Sequence, residues 1–432
     1  MSKFYILTLG CKVNSYESGA MREILLNKGY IEAKEDEISD VCIINTCSVT
    51  HVSDAKSRQM IRKMIKLNPN CIIAVVGCYS QMFSDVVKDI EGVNIVIGTK
   101  YRNQIYELIE EYKQTKTQIV KVDNYDPKQK FEYLNVTPQL EKTRAYLKIQ
   151  DGCNNFCTYC IIPYARGPQR SRDKEDIFQE VDKLLNEGYK EIVLTGIHTG
   201  SYGFENKAYR LSDLIIDLIN KFPNLYRIRI SSIEIIEIDD KLIDLIANSH
   251  VIVDHLHIPL QAGSNEILKL MNRHYDINLF KDIINKIRAK IPNIAITTDV
   301  IVGFPNETDE LFNETIKNIK EINFAQLHVF PYSPRKGTIA ANMKNQIDPK
   351  VKKERVQELM NLSRKLQGAY IEKYLNKEVS VIFEIIDQDG YIYGHSSNYI
   401  KVKAKGTKED INQIKNVLIT SFLDGQANGY IV

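Results

Sequence analysis

The chain has 432 residues, with 57 Lys+Arg against 55 Asp+Glu, eight Cys and no Trp. At 44% hydrophobic and 26% charged it has the composition of a globular chain of two to four domains, about 100–200 residues each, which excludes wholesale disorder and collagen-like structure. No run nears the ~20 apolar residues of a bilayer span, so an integral membrane protein is excluded, and a net charge of +2 leaves any basic surface a local feature.

The N-terminal MSKFYILTLGC lacks the apolar core and cleavage site of a secretory signal. A cytoplasmic setting is expected, in which cysteines serve as metal ligands or catalytic thiols more often than as disulfides. Over residues 1–108 the runs Phe4–Gly10, Val41–Asn45, Cys71–Gly77 and Asn94–Gly98 read as buried parallel strands. Helical spacing fills Ser15–Lys28 and Asp54–Lys66, the second capped by Ser53 or Asp54, and the alternation predicts a doubly wound α/β domain. Residues 109–141 are polar and read as a linker with one short strand, Gln118–Val122. Across 142–368 six strand candidates (Ala145–Gln150, Glu191–Gly196, Tyr226–Ser231, Asp254–Pro259, Ile296–Gly303, Ala325–Phe330) alternate with six helical patterns, as in a partial (βα)6 TIM-like barrel. Residues 369–432 change to short runs separated by Gly, Asn and Asp, and predict a small antiparallel β-barrel of OB-like type.

All eight cysteines lie at or before position 160. Cys11, Cys47 and Cys78 share one topological place, one or two residues past the carboxyl end of a predicted strand. In an open α/β sheet that is the ligand crevice, and soft thiolates there select zinc, cuprous copper or an iron–sulfur cluster. Cys42 and Cys71 lie within or at the start of a strand and read as core residues. Cys153, Cys157 and Cys160 form C-x3-C-x2-C directly after a strand. Three thiolates can hold three irons of a [4Fe–4S] cluster, leaving one iron open; a zinc site would lack its fourth ligand.

This loop resembles the hallmark of the radical S-adenosylmethionine (SAM) superfamily. With LGCKVNSYES, INTCSVT, VVGCYSQ, LTGIHTGSYG, HIPLQAGSNEILKLMNR and TDVIVGFPNET, the chain is similar to the radical-SAM methylthiotransferases over nearly its whole length. The resemblance implies two [4Fe–4S] clusters and SAM as cofactors. The cluster on Cys153, Cys157 and Cys160 would bind SAM, the auxiliary cluster on Cys11, Cys47 and Cys78 would carry the sulfur, and the C-terminal barrel would be a TRAM module for RNA. Residues at strand ends become candidate SAM contacts: Gly196, Thr199, Ser232, Glu234, Gln261 and Gly303, with Tyr159 packing on the adenine or the cluster.

Residues 55–66 carry Lys56, Arg58, Arg62, Lys63 and Lys66 without an acid, Arg166, Arg170 and Arg172 follow the second cysteine set, and Lys401 and Lys403 alternate on one strand. Arg58, Arg62, Lys63, Arg166, Arg170, Arg172, Lys401 and Lys403 are therefore candidate RNA contacts. Within the family, GCKVNSYES and CSVTHVSDAKSRQMIRK resemble the branch acting on N6-threonylcarbamoyladenosine in tRNA. The resemblance implies C2 methylthiolation of that base at position 37 in the anticodon loop, with a low-potential electron donor such as flavodoxin or ferredoxin and a sulfur donor as partners. The other branches act on N6-isopentenyladenosine or on a ribosomal-protein aspartate, and the non-enzyme alternative is a zinc-containing RNA-binding protein.

Overall fold

The computed structural model describes residues 2–35, 37–134, 143–205 and 208–432. The first unit comprises β1 (Lys3–Thr8), α1 (Lys12–Asn27), β2 (Ile31–Glu32), β3 (Val41–Thr46), α2 (His51–Leu67), β4 (Ile72–Gly77), α3 (Cys78–Met82), α4 (Ser84–Lys88), β5 (Val93–Ile97), α5 (Ile105–Thr115) and β6 (Ile119–Lys121). Its six strands pair in the order β2-β1-β3-β4-β5-β6, all parallel. Every residue of β3 and β4 is buried because helices cover both faces. Val41 and Ile43 join Met21, Leu25 and Leu108 in one core; Cys42, Cys71 and Ile44 join Ile61 and Met64 in the other.

Two details differ from the sequence reading. Helix α2 is capped by Thr50, whose side chain accepts from the Ser53 N–H, and not by Ser53 or Asp54. Asp54 is buried and takes Arg335 of the barrel unit at 2.6 Å. Regular structure also runs past residue 108: Leu108 and Ile109 pin α5 to the core, and β6 pairs with β5 at the sheet edge. The expected boundary at 141 and 142 lies outside the described residues.

The second unit comprises β7 (Arg144–Lys148), β8 (Gln150–Asp151), α6 (Ile162–Arg166), β9 (Arg170–Ser171), α7 (Lys174–Asn186), β10 (Glu191–Thr195), α8 (Leu211–Lys221), β11 (Arg227–Ile230), α9 (Asp240–Asn248), β12 (His255–His257), α10 (Asn265–Leu270), α11 (Ile277–Lys290), β13 (Ala295–Val302), α12 (Asp309–Ile322), β14 (Gln326–Pro331) and α13 (Pro349–Glu372). Two parallel sheets, β7-β10-β11 and β12-β13-β14, are joined by the parallel bridge Ile228–Ile252 into one open barrel. Helix α1 of the first unit leans on its β7 side. There Glu17 takes Lys148 at 2.8 Å, and Tyr16 donates to Glu180 Oε2 at 2.9 Å.

The last unit is a closed barrel of β15 (Glu378–Ile386), β16 (Tyr391–Ser396), β17 (Lys401–Lys405), β18 (Ile414–Leu423) and β19 (Gln426–Ile431), in the ring order β15-β16-β17-β19-β18. The pair β17–β19 is parallel and the others antiparallel. A ring of five strands cannot alternate direction all the way round, so one parallel pair is a geometric necessity. This barrel sits against the amino ends of β7 and β11. Arg144 pairs with Glu384 at 2.9 Å, Arg227 donates to the Ser380 carbonyl at 2.8 Å, and Arg229 donates to that of Ser397 at 3.2 Å. Among the described residues no helix is long and apolar enough to cross a membrane.

Candidate active site

Cys11, Cys47 and Cys78 stand at the carboxyl ends of the neighbouring strands β1, β3 and β4. Gly10 and Gly77 precede two of them at φ +104° and +102°, turning the chain off the strand in a conformation that L side chains avoid. A Cβ on Gly10 would stand 2.8 Å from Cys47 Cβ and 3.0 Å from its Sγ, so glycine is what lets these strand ends approach. Asn14 ties them together, donating to the carbonyls of Leu9 at 2.8 Å and Thr46 at 3.0 Å, while Cys11 Sγ lies 3.6 Å from its Oδ1. Burial pushes the Cys78 thiol up to about 11, with Arg166 opposing it, and pushes Cys47 up against the Val49 N–H. Cys11 is exposed.

The second set lies on the loop between β8 and α6. Gly152 holds φ +72°, and a Cβ there would collide with the Pro168 carbonyl. Within the loop, Asn155 N–H points at Cys153 Sγ (3.4 Å) and Cys160 N–H donates to the Cys157 carbonyl at 2.9 Å. Arg273 Nη1 donates to Cys157 Sγ at 3.3 Å and its other nitrogen pairs with Glu234. His198 lies between Cys153 (Nδ1 to Sγ, 3.8 Å) and Glu237 (Nε2 to Oε1, 2.7 Å). Burial lowers its pKa, but the hydrogen bonds to Cys153 and Glu237 outweigh that and raise it to about 10. Burial pushes the Cys160 thiol up to about 12, reinforced by Cys157.

All six cysteines line one cavity of about 710 Å³. The donor chemistry suits [4Fe–4S] clusters, in which each thiolate meets a different iron, so three thiols need not converge on one point. Among the described residues no three His, Cys, Asp or Glu side chains do converge on a single ion.

Residues 147–319 match the Radical SAM superfamily and residues 3–98 match an uncharacterized protein family, UPF0004. A threonylcarbamoyladenosine tRNA methylthiotransferase of Bacillus subtilis is 46% identical, covering 95% of this chain and 92% of that one. The protein of that name from Aquifex aeolicus is 37% identical over 95% and 98%. This chain belongs to the radical-SAM methylthiotransferase family. A tRNA-2-methylthio-N(6)-dimethylallyladenosine synthase of B. subtilis is also similar, at 37% identity over 99% of this chain and 86% of that one. Among solved structures, the radical SAM methyltransferase TsrM from Kitasatospora setae shares the fold with TM-score 0.58 at 12% identity, over 79% of this chain and 77% of that one. The cofactors of a radical-SAM methylthiotransferase, SAM and [4Fe–4S] clusters, fit the thiol sets described above.

Of the strand-end residues expected to contact SAM, Gly196, Ser232, Glu234 and Gln261 line the cavity, as does Tyr159, which packs edge-on against Phe304. Gln261 is held at φ +63° by its N–H bond to the Asp299 carbonyl (2.9 Å), a costly conformation for a non-glycine residue that the wall over-determines. Glu234 is engaged by Arg273. Thr199 and Gly303 are not on the wall. Thr199 is buried beside the Ser231 hydroxyl (3.3 Å), and the Gly303 N–H donates to Glu307 in a turn covered by Lys352.

The expected RNA contacts divide. Arg166, Arg170 and Arg172 are no surface groups, being 1%, 5% and 2% exposed. Arg166 takes Glu17 at 2.8 Å, Arg170 takes Asp151 at 3.0 Å and Arg172 takes Glu180 at 2.5 Å. Buried cations need such partners. Arg166 through Glu17, and Arg172 through the Tyr16 hydroxyl at 3.1 Å, tie the barrel to the first unit, whereas Arg170 stays within the barrel unit. Arg58 is half-buried and donates to the Tyr79 hydroxyl at 2.9 Å; Arg62 and Lys63 are exposed, Lys63 near Glu35 at 3.3 Å. On the small barrel Lys401 pairs across strands with His395, Lys403 with Tyr393 and Lys405 with Tyr391. Lys403 and Lys405 each lie 3.9 Å over the Tyr391 ring. The lysine stripe is thus half of a mixed aromatic and cationic face, whose other half was visible as the alternation of GYIYGHS. Sequence reasoning also missed Lys12, His198, Arg229, Arg273 and Tyr399 on the cavity wall. His198, Lys12 and Arg273 carried a signal, sitting inside the LTGIHTG, LGCKVNSYES and HIPLQAGSNEILKLMNR stretches.

Proposed function

We propose that this chain adds a methylthio group to C2 of N6-threonylcarbamoyladenosine at position 37 of tRNA. The observation that carries this reading is the pair of three-cysteine sets, one on each α/β unit, lining a common cavity. The similarity to threonylcarbamoyladenosine tRNA methylthiotransferases supports that base over the other substrates of the family.

Cys153, Cys157 and Cys160 would hold the SAM-binding cluster, and Cys11, Cys47 and Cys78 the auxiliary one. When bound, the first supplies with SAM the radical chemistry that an adenine C2–H demands, since it is not acidic enough for a general base, and the second supplies sulfur. The chain's own residues do the positioning. Arg273 steadies Cys157 while Glu234 balances its charge, and His198 orients Cys153 against Glu237. Asn14 and Arg166 fix the first set relative to the second, with Arg166 Nη2 donating to Asn14 Oδ1 at 2.9 Å. The aromatic and lysine face of the small barrel suits a single-stranded loop, stacking bases and contacting phosphates. A low-potential electron donor, a sulfur donor and a cytoplasmic setting complete the reading. Mass spectrometry of tRNA nucleosides from a strain lacking the gene is the test. The methylthio form of threonylcarbamoyladenosine disappears and returns on complementation; its persistence at normal levels refutes the substrate.

A further inference from the structure

Five side chains that carry positive charge near neutral pH line the cavity: Lys12, Arg166, His198, Arg229 and Arg273. Four are committed. Arg166 takes Glu17 at 2.8 Å, His198 takes Glu237 at 2.7 Å, Arg229 takes Glu191 at 2.6 Å, and Arg273 pairs with Glu234. Lys12 is different. It is the first residue of α1, next to Cys11, and among the described residues its ammonium has no carboxylate at ion-pair distance and no hydrogen-bond partner. Its charged surroundings are dominated by Arg229 and Arg144, and the nearby carboxylate of Glu191 is already held by Arg229. Arg229 Nη1 is itself buried without a partner. A cation without a partner in a recessed site is costly, and the wall around Lys12 and Arg229 is complementary to an anion that arrives with a ligand.

We propose that Lys12, backed by Arg229, is the anchor for an aliphatic carboxylate carried by the substrate base. This rests on the proposed function, in which that group is the threonyl carboxylate on N6. Lys12 lines the cavity that the two cysteine sets share, within the electrostatic reach of Arg229 on β11 and Arg144 on β7. C2 and C6 flank N1 on one edge of the purine. An anchor for the N6 substituent adjacent to Cys11 therefore turns C2 toward the first cysteine set. The anchor selects the base as well as orienting it, because a substituent without a carboxylate leaves the half-buried Lys12 unpaired.

The test uses reconstituted holoenzyme without SAM, so that no turnover occurs, and two anticodon stem-loop RNAs. One carries N6-threonylcarbamoyladenosine, the other its neutral carboxamide. Fluorescence anisotropy gives both Kd values for wild type, K12Q and K12R, with iron per chain measured for each. Wild type is expected to favour the carboxylate RNA by about 10- to 100-fold, the range of a charge-assisted hydrogen bond. K12Q brings the ratio near one, and K12R restores most of it. A wild-type ratio near one overturns the proposal without recourse to any variant. So does a K12Q protein that keeps the wild-type ratio, or one that loses both RNAs equally, which would mark a phosphate contact. The function itself is read separately, by adding SAM and reductant to wild type. Failure to methylthiolate the carboxylate RNA refutes the reaction, whereas product formation with no carboxylate preference refutes only the role of Lys12.

Discussion

Replacing Glu17 by Gln tests whether one buried carboxylate holds the two cysteine-bearing units together. Its Oε1 takes Lys148 Nζ and Arg166 Nη1, both at 2.8 Å. Its Oε2 takes Arg102 Nη1 at 2.6 Å and Arg166 Nη2 at 3.1 Å. None of these side chains is more than 1% exposed. Glutamine keeps the shape, removes the charge and turns N–H donors toward cations. Removing one partner of a buried pair costs about 3–5 kcal/mol. Arg102 retains Glu132, and Lys148 and Arg166 retain Asp151, so the lower end applies: about 3 kcal/mol, or roughly two powers of ten in the equilibrium. Urea unfolding of the iron-free protein, followed by circular dichroism and limited proteolysis, reads this as an earlier transition. Glu37→Gln, at an exposed pair with Lys3, serves as the control. A Glu17→Gln midpoint equal to that of the control refutes the reasoning. The acid limb has a definite sign. Burial raises the Glu17 pKa, but Arg102, Arg166 and Lys148 override it and hold the carboxyl far below its ordinary range. Its contribution is therefore full above the unfolded value of about 4.3 and is lost as pH falls below it, so wild type and variant converge in acid.

Cys157→Ala is expected to abolish SAM cleavage, measured as 5′-deoxyadenosine release. Cys47→Ala should retain uncoupled cleavage but form no methylthio product, and a fully active Cys47→Ala enzyme would contradict the ligand role given to it. Gly10→Ala places a Cβ 2.8 Å from that of Cys47 at φ +104°, so iron bound per chain should fall by about half, the auxiliary share, and unchanged iron content counts against the convergence of that set. The double variant K401A/K403A should weaken tRNA binding and flatten its salt dependence by about one unit of slope per lost phosphate contact, a change that binding titrations at several salt concentrations detect. Equal slopes for the variant and wild type would remove that face from the RNA interface.

The residues that carry the chemistry were legible because their signals are local. C-x3-C-x2-C is a short spacing, and the cysteines of LTLGCK, INTC and VVGC each end an apolar run whose length and β-branched content mark a buried strand. The main buried strands and the longer helices of the two α/β units follow from periodicity, which reports burial, while short elements such as α3, α6 and α10 do not. Helix α5 escaped notice because its apolar residues Ile105, Leu108 and Ile109 open a polar stretch, and only the sheet they pack on distinguishes them from a linker.

What a charge does was decided in three dimensions. Arg166, Arg170 and Arg172 look in sequence like a basic loop, yet Glu17, Asp151 and Glu180 pair with them and bury them, and the Arg166–Glu17 pair becomes part of the joint between units. Lys12 carries the same charge, and what sets it apart is that among the described residues no carboxylate stands at ion-pair distance from it. Tyr399 enters the cavity from the C-terminal barrel, stacked on His255 with ring centroids 4.8 Å apart, because that barrel seats against the amino ends of β7 and β11. Hydrophobic periodicity encodes which side of an element is covered. It carries no record of which distant charge arrives to cover it, and in a low-dielectric interior that pairing determines whether a cation is a structural tie or an open binding group.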